Sequence, residues 1–391
     1  MPFTRGRPAR WLLLAVAAAL VAAGCGDDDG GGSASGSGST TGATGATGSG
    51  DGTIGSVTAS GISADRCAAN REAGTITFLS SFDFAATASI VDVIVAEDLG
   101  YFDQLCLDVE LRAGFSTSNY PLVASGEAQF SGAGNFTELV QNSTSGAELV
   151  AIVNYGKTAT EGLVVRADDP IETLEDLRGK TIGVKGAVPP SIVAMLAHAG
   201  LRPGDWKEVQ LEGFDPLAHL ATDIDALPVY KSNEPGQLER AGVPYRLFDP
   251  LDYDIPSTFA LLYTSRDFLE DHRTAVEDFV RGALAGFLAA EEDPGAAVHA
   301  SMSRIDAAGN TRSLTEVGEA YRWEHERDLV RRTTPPGEIP GLIHPELFER
   351  EVAGMVELGV FTEPPDLDGT YDADIARAVL GPDGQVVMPA T

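Results

Sequence analysis

From Thr75 onward the chain alternates short β-like stretches with helical patterns, and it does so twice before turning helical towards its end. No other feature narrows the possible folds as far. In the first round, 75–79 reads as a strand, and 88–98 carries Ile90, Val91, Ile94 and Val95 on one helical face that stops near Gly100. Residues 107–111 alternate apolar and polar, as a half-buried strand does. Asn119 and Pro121 open a short helix ended by Gly126, Gly132-Ala133-Gly134-Asn135 leads into another, and 149–154 and 163–166 read as further strands. The second round begins after Asp169-Pro170. Thr173 with Asp176 forms a capping-box pattern, 180–184 is a strand, and 189–199 is a helix with proline near its start. Strands at 209–211, 224–226 and 245–247 alternate with helices around Leu217 and over 237–240. After a strand at 258–264, one helix places Phe279, Val280, Leu284, Phe287 and Leu288 in an apolar stripe suited to a core. The pattern predicts two α/β lobes with mostly parallel sheets. The chain is expected to cross near 162–166 and return near 256–262.

The N-terminus adds a second constraint. Arg5, Arg7 and Arg10 precede an apolar run over 11–21, too short for a comfortable membrane span, followed by Ala22-Ala23-Gly24-Cys25. This is the layout of a signal peptide over 1–24, and Ala-Ala-Gly-Cys resembles the lipobox of bacterial lipoproteins, in which the cysteine becomes the lipid-bearing N-terminus. From Gly26 to about Gly61 the chain is mostly Gly, Ser, Thr, Ala and Asp, with too little apolar surface to offset chain entropy. Roughly 35 such residues span about 30–35 Å as a random coil, the reach of a tether. The expected plan is therefore a leader over 1–24, a lipidated Cys25 and linker over 25–65, a first lobe over 66–163, a second over 164–257 and a return over 258–391. Of three cysteines, Cys67 and Cys106 remain after Cys25. In an oxidising compartment such a pair forms a disulfide; two buried thiols are the alternative.

Charge excludes one class of partner. There are 58 acidic against 27 basic residues, a formal net charge of -31, and such a field repels nucleic acid. Histidines at 198, 219, 272, 299, 325 and 344 have no paired metal-ligand spacing, and there is no Walker loop or Gly-x-Ser-x-Gly elbow. Neither a metal, nor a cofactor, nor a catalytic group is expected.

Four motifs, in order, resemble the family of binding proteins for nitrate, sulfonates, taurine and the thiamine pyrimidine precursor. They are Ala96-Glu97-Asp98-Leu99-Gly100-Tyr101-Phe102, Leu122-Val123-Ala124-Ser125-Gly126-Glu127-Ala128-Gln129-Phe130, Leu174-Glu175-Asp176-Leu177-Arg178-Gly179-Lys180-Thr181-Ile182-Gly183-Val184 and Asp223-Ile224-Asp225-Ala226. The likeness covers roughly 75–365. It implies a bilobal type II periplasmic-binding fold with a ligand in the cleft, and a monomer delivering a small molecule to an ABC permease and its ATPase. The location implied is extracytoplasmic, at a membrane reached through the lipid anchor. The stretches 225–235 and 252–256 look closest to the pyrimidine- and flavin-type branch. At Ser80-Ser81-Phe82-Asp83-Phe84 the pyrimidine binders carry a tryptophan with a histidine soon after, and this chain has neither. The cysteine-rich iron motif of the fungal pyrimidine synthases also has no matching residues.

Loops after strands and at helix N-termini face the cleft in such an architecture. Phe82 and Phe84 suit stacking on a planar ligand or a place in the core, and Asp83 between them suits an amine. Ser116 and Thr117 serve as hydroxyl donors or as caps for the Pro121 helix, and Asn135 sits on the third loop. Lys185, one of five lysines, precedes the Pro189 helix, where an anion is favoured, although a solvated lysine fits equally. Tyr230, Asn233 and Glu234, with Tyr253, suit a ring bearing amino groups. The expected ligand is a small heteroaromatic such as a thiamine-precursor pyrimidine. An anion of the nitrate, sulfonate or taurine type, and an enzyme or sensor of the same fold, are the alternatives.

Overall fold

Each round of strand and helix closes into a sheet of its own. The computed structural model describes residues 62–143, 148–310 and 314–387, so the expectations for the leader, Cys25 and the linker lie outside the described residues. The first round comprises α1 (Ala64–Glu72), β1 (Thr75–Leu79), α2 (Ala88–Asp98), α3 (Tyr101–Gln104), β2 (Asp108–Arg112), α4 (Ser116–Ala124), β3 (Phe130–Ala133), α5 (Phe136–Ser143) and β4 (Leu149–Gly156). The second comprises β5 (Glu161–Arg166), β6 (Thr181–Val184), α6 (Pro190–His198), β7 (Lys207–Gln210), α7 (Pro216–Leu220), β8 (Leu227–Tyr230), α8 (Glu234–Arg240) and β9 (Tyr245–Phe248). The return runs through β10 (Phe259–Ser265), α9 (Arg266–Asp271), α10 (Arg273–Glu292), α11 (Pro294–Ala308), α12 (Glu316–Thr333), α13 (Pro345–Glu357) and α14 (Asp374–Ala378).

The first sheet has the order β2-β1-β3-β10-β4. Strands β1, β2 and β3 are parallel, and β10 runs antiparallel to both β3 and β4, so four strands share one direction. In the second lobe β8-β5-β9 and β6-β7 are joined by a parallel bridge from Ile182 to Ala226. The resulting order, β7-β6-β8-β5-β9, repeats that of the first sheet, and β5 again opposes its neighbours. In each lobe the reversed strand, β10 or β5, is one end of a crossing. The expected α/β bilobal architecture is the one observed.

The first crossing runs through 157–160, ahead of the 162–166 expected, because Leu163 and Val164 already pair with both β8 and β9. The strand expected at 224–226 begins instead at Leu227. Asp225 turns its carboxylate onto the Thr181 N–H at 2.7 Å and its own N–H onto Thr181 O, which leaves Ala226 only a bridge. The capping box at Thr173 and Asp176 is present.

Burial follows the sheets. Helices α2 and α10 cover one face of the first sheet, around Phe78, Phe130 and Phe279, with the two benzene rings of Phe130 and Phe279 stacked at 3.9 Å. Residues 88–96 of α2 are buried all round, more than a single face, because α2 lies between the sheet and the α10–α11 pair. The other face packs Phe136 on Phe348 of α13, with ring centroids 3.8 Å apart. Further along α13, Met355 enters the core of the second lobe. Cys67 and Cys106 are joined, with Cα atoms 5.3 Å apart, so α1 is clipped to the turn that enters β2. No helix among the described residues is long and apolar enough to cross a membrane.

Candidate functional site

A cavity of about 340 Å³ lies between the lobes, within the size range of small-molecule sites. Its walls come from the carboxyl ends of the same-direction strands, the usual binding edge of an α/β sheet. The contributions match pairwise. After β1 and its counterpart β6 stand Phe82 and Lys185; after β2 and β7 stand Phe115 and Phe214; at the ends of β3 and β8 stand Gly134 and Tyr230. Three of these rings are held open to the cavity: Phe115, Phe214 and Tyr230 are 48%, 50% and 47% exposed although large and apolar. Phe82 of the first lobe meets Phe115 edge-on at 5.7 Å and Phe214 of the second lobe edge-on at 6.1 Å. An aromatic set therefore spans the cleft.

Carboxyl groups line the rest. Glu161 opens β5 fully buried, its Oε2 accepting from Ser191 Oγ at 3.1 Å and its Oε1 from Asn135 Nδ2 at 3.4 Å. Burial raises its pKa, and the hydrogen bonds oppose that only in part. Glu138, behind the cavity wall, receives the Ser116 hydroxyl at 3.3 Å. Burial and then the neighbouring Glu161 push it up to about 7. A Cβ on Gly134 would stand 2.5 Å from Glu138 Oε2, so the absence of a side chain there makes room for the carboxylate. Glu234 accepts from Lys185 Nζ at 2.6 Å and from the Tyr230 N–H at 2.9 Å.

The third wall comes from α12. Glu326 reaches both lobes, accepting from the Ala88 N–H at 2.8 Å and from Ser232 Oγ at 3.0 Å, and burial pushes it up to about 7. Arg322 donates to Glu319 at 3.0 Å and to Asn233 Oδ1 at 3.1 Å, with its guanidinium carbon 5.7 Å from the Phe82 ring centre. Backbone strain gathers here too. Ala260, on the cavity wall, has φ +54°, and Asp83 beside Phe82 has φ +49°.

Seven of the eleven ligand-site residues expected from sequence line this cavity: Phe82, Ser116, Thr117, Lys185, Tyr230, Asn233 and Glu234. Asn135 stands one layer behind, orienting Glu161. The remaining three do not line it. Asp83 accepts from the Phe84 N–H and from Asn310 on the outer side, Phe84 packs with Ala85, Ile305 and Leu314, and Tyr253 lies edge-on to His198 against the second core. The reason is geometric: the turn at Asp83 swings the next side chain away from the cleft, and Tyr253 belongs to the turn Pro250–Tyr253, which packs on α6. Glu161, Phe115, Phe214, Arg322 and Glu326 were not legible as site residues. Only the phenylalanines, standing alone after short strands, carried a local signal. Among the described residues no group of His, Cys, Asp or Glu is placed to hold a metal ion.

Comparison with known proteins agrees with this geometry. The periplasmic aliphatic sulphonate binding protein of Escherichia coli superposes with a TM-score of 0.57 at 12% identity, over 76% of this chain and 91% of that one. The desulfurization enzyme DSZB gives 0.52 at 18% identity over 78% and 98%, so the fold also supports an enzyme. The riboflavin-binding protein RibY of Chloroflexus aurantiacus is 32% identical over 147 residues, which is 37% of this chain and spans only 41% of that relative's length. The family described as NMT1/THI5 like matches residues 87–297, more than half of the chain and the stretch that carries most of the cavity. On that match, the protein belongs to the NMT1/THI5-like family.

Proposed function

We propose that the protein is a solute-binding component of an ABC importer, which holds a small heteroaromatic such as a thiamine-precursor pyrimidine in its interlobe cavity and hands it to a permease and ATPase. The observation that carries the reading is the cavity itself, where Phe82, Phe115, Phe214 and Tyr230 offer ring faces and edges beside the carboxyl groups of Glu161 and Glu234. Rings of this kind stack on a planar ligand, and carboxylates accept from amino groups while repelling nitrate or sulfonate. The partial likeness to a riboflavin-binding protein points in the same direction. Lys185 before α6 favours the alternative of an anion. Its ammonium is, however, engaged by Glu234 at 2.6 Å, so an anion would have to break that pair. The proposal includes the plan of leader, lipidated Cys25, tether and two lobes closing on the ligand, and a monomer outside the cytoplasm.

The test is a thermal-shift panel of aminopyrimidines, riboflavin, nitrate, taurine and alkanesulfonates on the ligand-stripped protein, repeated with Tyr230→Ala. Stabilisation by a heteroaromatic, lost in Tyr230→Ala, is expected; ligand at 100 times Kd adds about 2.7 kcal/mol. Stabilisation by nitrate or a sulfonate alone overturns the heteroaromatic reading. Turnover of any bound compound overturns the transport reading.

A further inference from the structure

We infer that the ligand binds as a cation: a planar ring bearing a protonated aminomethyl-type arm, placed between Tyr230 and the carboxyl groups of Glu161 and Glu326. The inference rests on the heteroaromatic reading above and adds the charge of the ligand, and a linkage of binding to protons.

The charge balance of the cavity is the first argument. Glu161, Glu234 and Glu326 line it, and Glu138 stands behind Ser116. Two basic groups line it, Lys185 and Arg322, and both are engaged, by Glu234 at 2.6 Å and by Glu319 at 3.0 Å. Among the described residues no basic side chain comes within ion-pair distance of Glu138, Glu161 or Glu326. These carboxyl groups accept hydrogen bonds, and Lys231 and Arg322 act on Glu161 and Glu326 from beyond ion-pair distance. A buried carboxylate without a counter-ion in contact is still costly, and a ligand cation placed among these groups relieves that cost. A neutral ligand leaves the cost in place, and an anion adds to it.

A second observation is independent of the acids. Thr160, the last residue of the first crossing, is 5% exposed and lines the cavity, and its Oγ1 has no hydrogen-bond partner. That hydroxyl is closed off in the empty cavity, so a ligand N–H would satisfy it only as the wall shifts on binding, and it accepts from an N–H as readily as it donates. The Tyr230 ring, half exposed beside these groups, presents a π face of the kind that holds a cation.

Proton linkage follows. Glu326 is faced by Arg322 and Glu319 of its own helix, by Ser232 before α8 and by the N–H of Ala88 on α2. Glu138 is faced by Ser116 and Tyr120 of α4, by Glu161 of β5 and by the backbone of Gly134. Tyr230 feels Glu138, Glu161, Glu234 and Glu326 together. With both Glu326 and Glu138 held near 7 by burial, the empty cavity carries part of its protons at neutral pH. A bound cation favours the carboxylate forms, so binding releases protons, and affinity rises from pH 6 to pH 8.

The deciding experiment is titration calorimetry of the full mature chain with two pyrimidines that differ in one arm: a 4-aminopyrimidine carrying a 5-aminomethyl group, and its neutral 5-hydroxymethyl isostere. We expect the amine to bind about tenfold tighter at pH 7. Its affinity should fall several-fold from pH 8 to pH 6, with heat that depends on the buffer, while the alcohol stays flat. Glu161→Gln and Glu326→Gln should each shrink the preference. If either variant fails to fold, the comparison of the two ligands on the unaltered protein still decides. Equal affinities, a tighter alcohol, or riboflavin binding above both pyrimidines overturns the cation and leaves the heteroaromatic reading standing. Binding of none of the three overturns both.

Discussion

The two lobes share one strand order and one reversed crossing strand, yet they are stabilised differently. In the first, α2 and α10 meet backbone to backbone over a sheet whose other face is sealed by α5 and α13, and a disulfide clips the leading helix to it. Acid groups are buried inside: Asp92 accepts the Tyr155 hydroxyl at 2.6 Å, and Glu351 accepts from Thr137 and Thr258. In the second lobe, α7 and α8 are short, β7 is exposed along its length, and Phe214 and Tyr230 stand open at the cleft. The same topology has been given rigidity on one side and contact surface on the other. The proposed cleft closure would need both, a base that holds its shape and a jaw that has something to close with.

The largest effect that bears on this contrast comes from one glycine in each lobe. A Cβ on Gly286 of α10 would lie 2.0 Å from Asp92 O and 2.7 Å from Ala96 N, both backbone atoms of α2. The helices must separate to admit it, so Gly286→Ala should cost at least about 4 kcal/mol in urea unfolding. A Cβ on Gly183 of β6 would meet Leu211 Cδ1 at 2.6 Å and Ile224 Cδ1 at 2.9 Å, terminal methyls that can rotate away. Gly183→Ala should cost about 1 kcal/mol. Equal costs would remove the difference in rigidity.

The disulfide comes next. It joins residues 39 apart in sequence, and chain entropy for a loop of that length gives about 3–4 kcal/mol. Reduction or Cys67→Ala should lower stability by that amount, with intact mass under alkylation reporting the thiols. A loss below about 1 kcal/mol would mean that helix packing alone holds the first lobe.

These contrasts were legible in the sequence only in part. Periodicity exposed both rounds of strand and helix, and the apolar stripe of α10 with them, because each is local. The repeated strand order was not legible: it depends on β10 and β5 returning beside strands distant in sequence, which no local pattern encodes. The site divides in the same way. Phe82, Ser116, Lys185 and Tyr230 follow strands directly, and the rule that loops after strands face the cleft finds them. Glu326 and Arg322 reach the cavity from a late helix whose pattern is that of any charged surface helix, and Glu161 hides inside a strand. Phe84 and Tyr253 stand on the expected loops but point elsewhere, since a positive φ at Asp83 and a tight turn before Asp254 redirect them.

A smaller effect is set by the buried acids, which cluster in the first lobe and its helices. Burial holds Glu351 near 7 and Asp92 near 8, well above an unfolded carboxyl. The folded state therefore keeps protons that the unfolded chain has lost, so this stability is full below about pH 4 and is lost as pH rises through 7. Between pH 6 and pH 8 the ligand-free protein should lose on the order of 1 kcal/mol through Glu351, read as a falling Tm. Glu351→Gln, which mimics the protonated acid, should flatten its share of the slope. A Tm that rises over this interval would show that these groups are charged and satisfied.

The smallest effect on stability belongs to Phe214, and it sharpens the comparison most. The ring is half exposed, edge-on to Phe82 across the cleft and 5.8 Å from the Lys185 ammonium. It belongs to none of the buried core clusters, so Phe214→Ala leaves no cavity behind and should change the stability of the ligand-free protein by less than about 0.5 kcal/mol. Its contact with Phe82 exists only while the lobes are together. Truncation should therefore weaken ligand binding severalfold and reduce the ligand-induced rise in Tm, while the Tm without ligand stays put. The control is Phe279→Ala in the first core, where a fully buried ring stacks on Phe130 and its loss should cost about 3–5 kcal/mol. If Phe214→Ala destabilised the empty protein as Phe279→Ala does, the second lobe would need that ring for its own fold, and the division of labour between base and jaw would not hold.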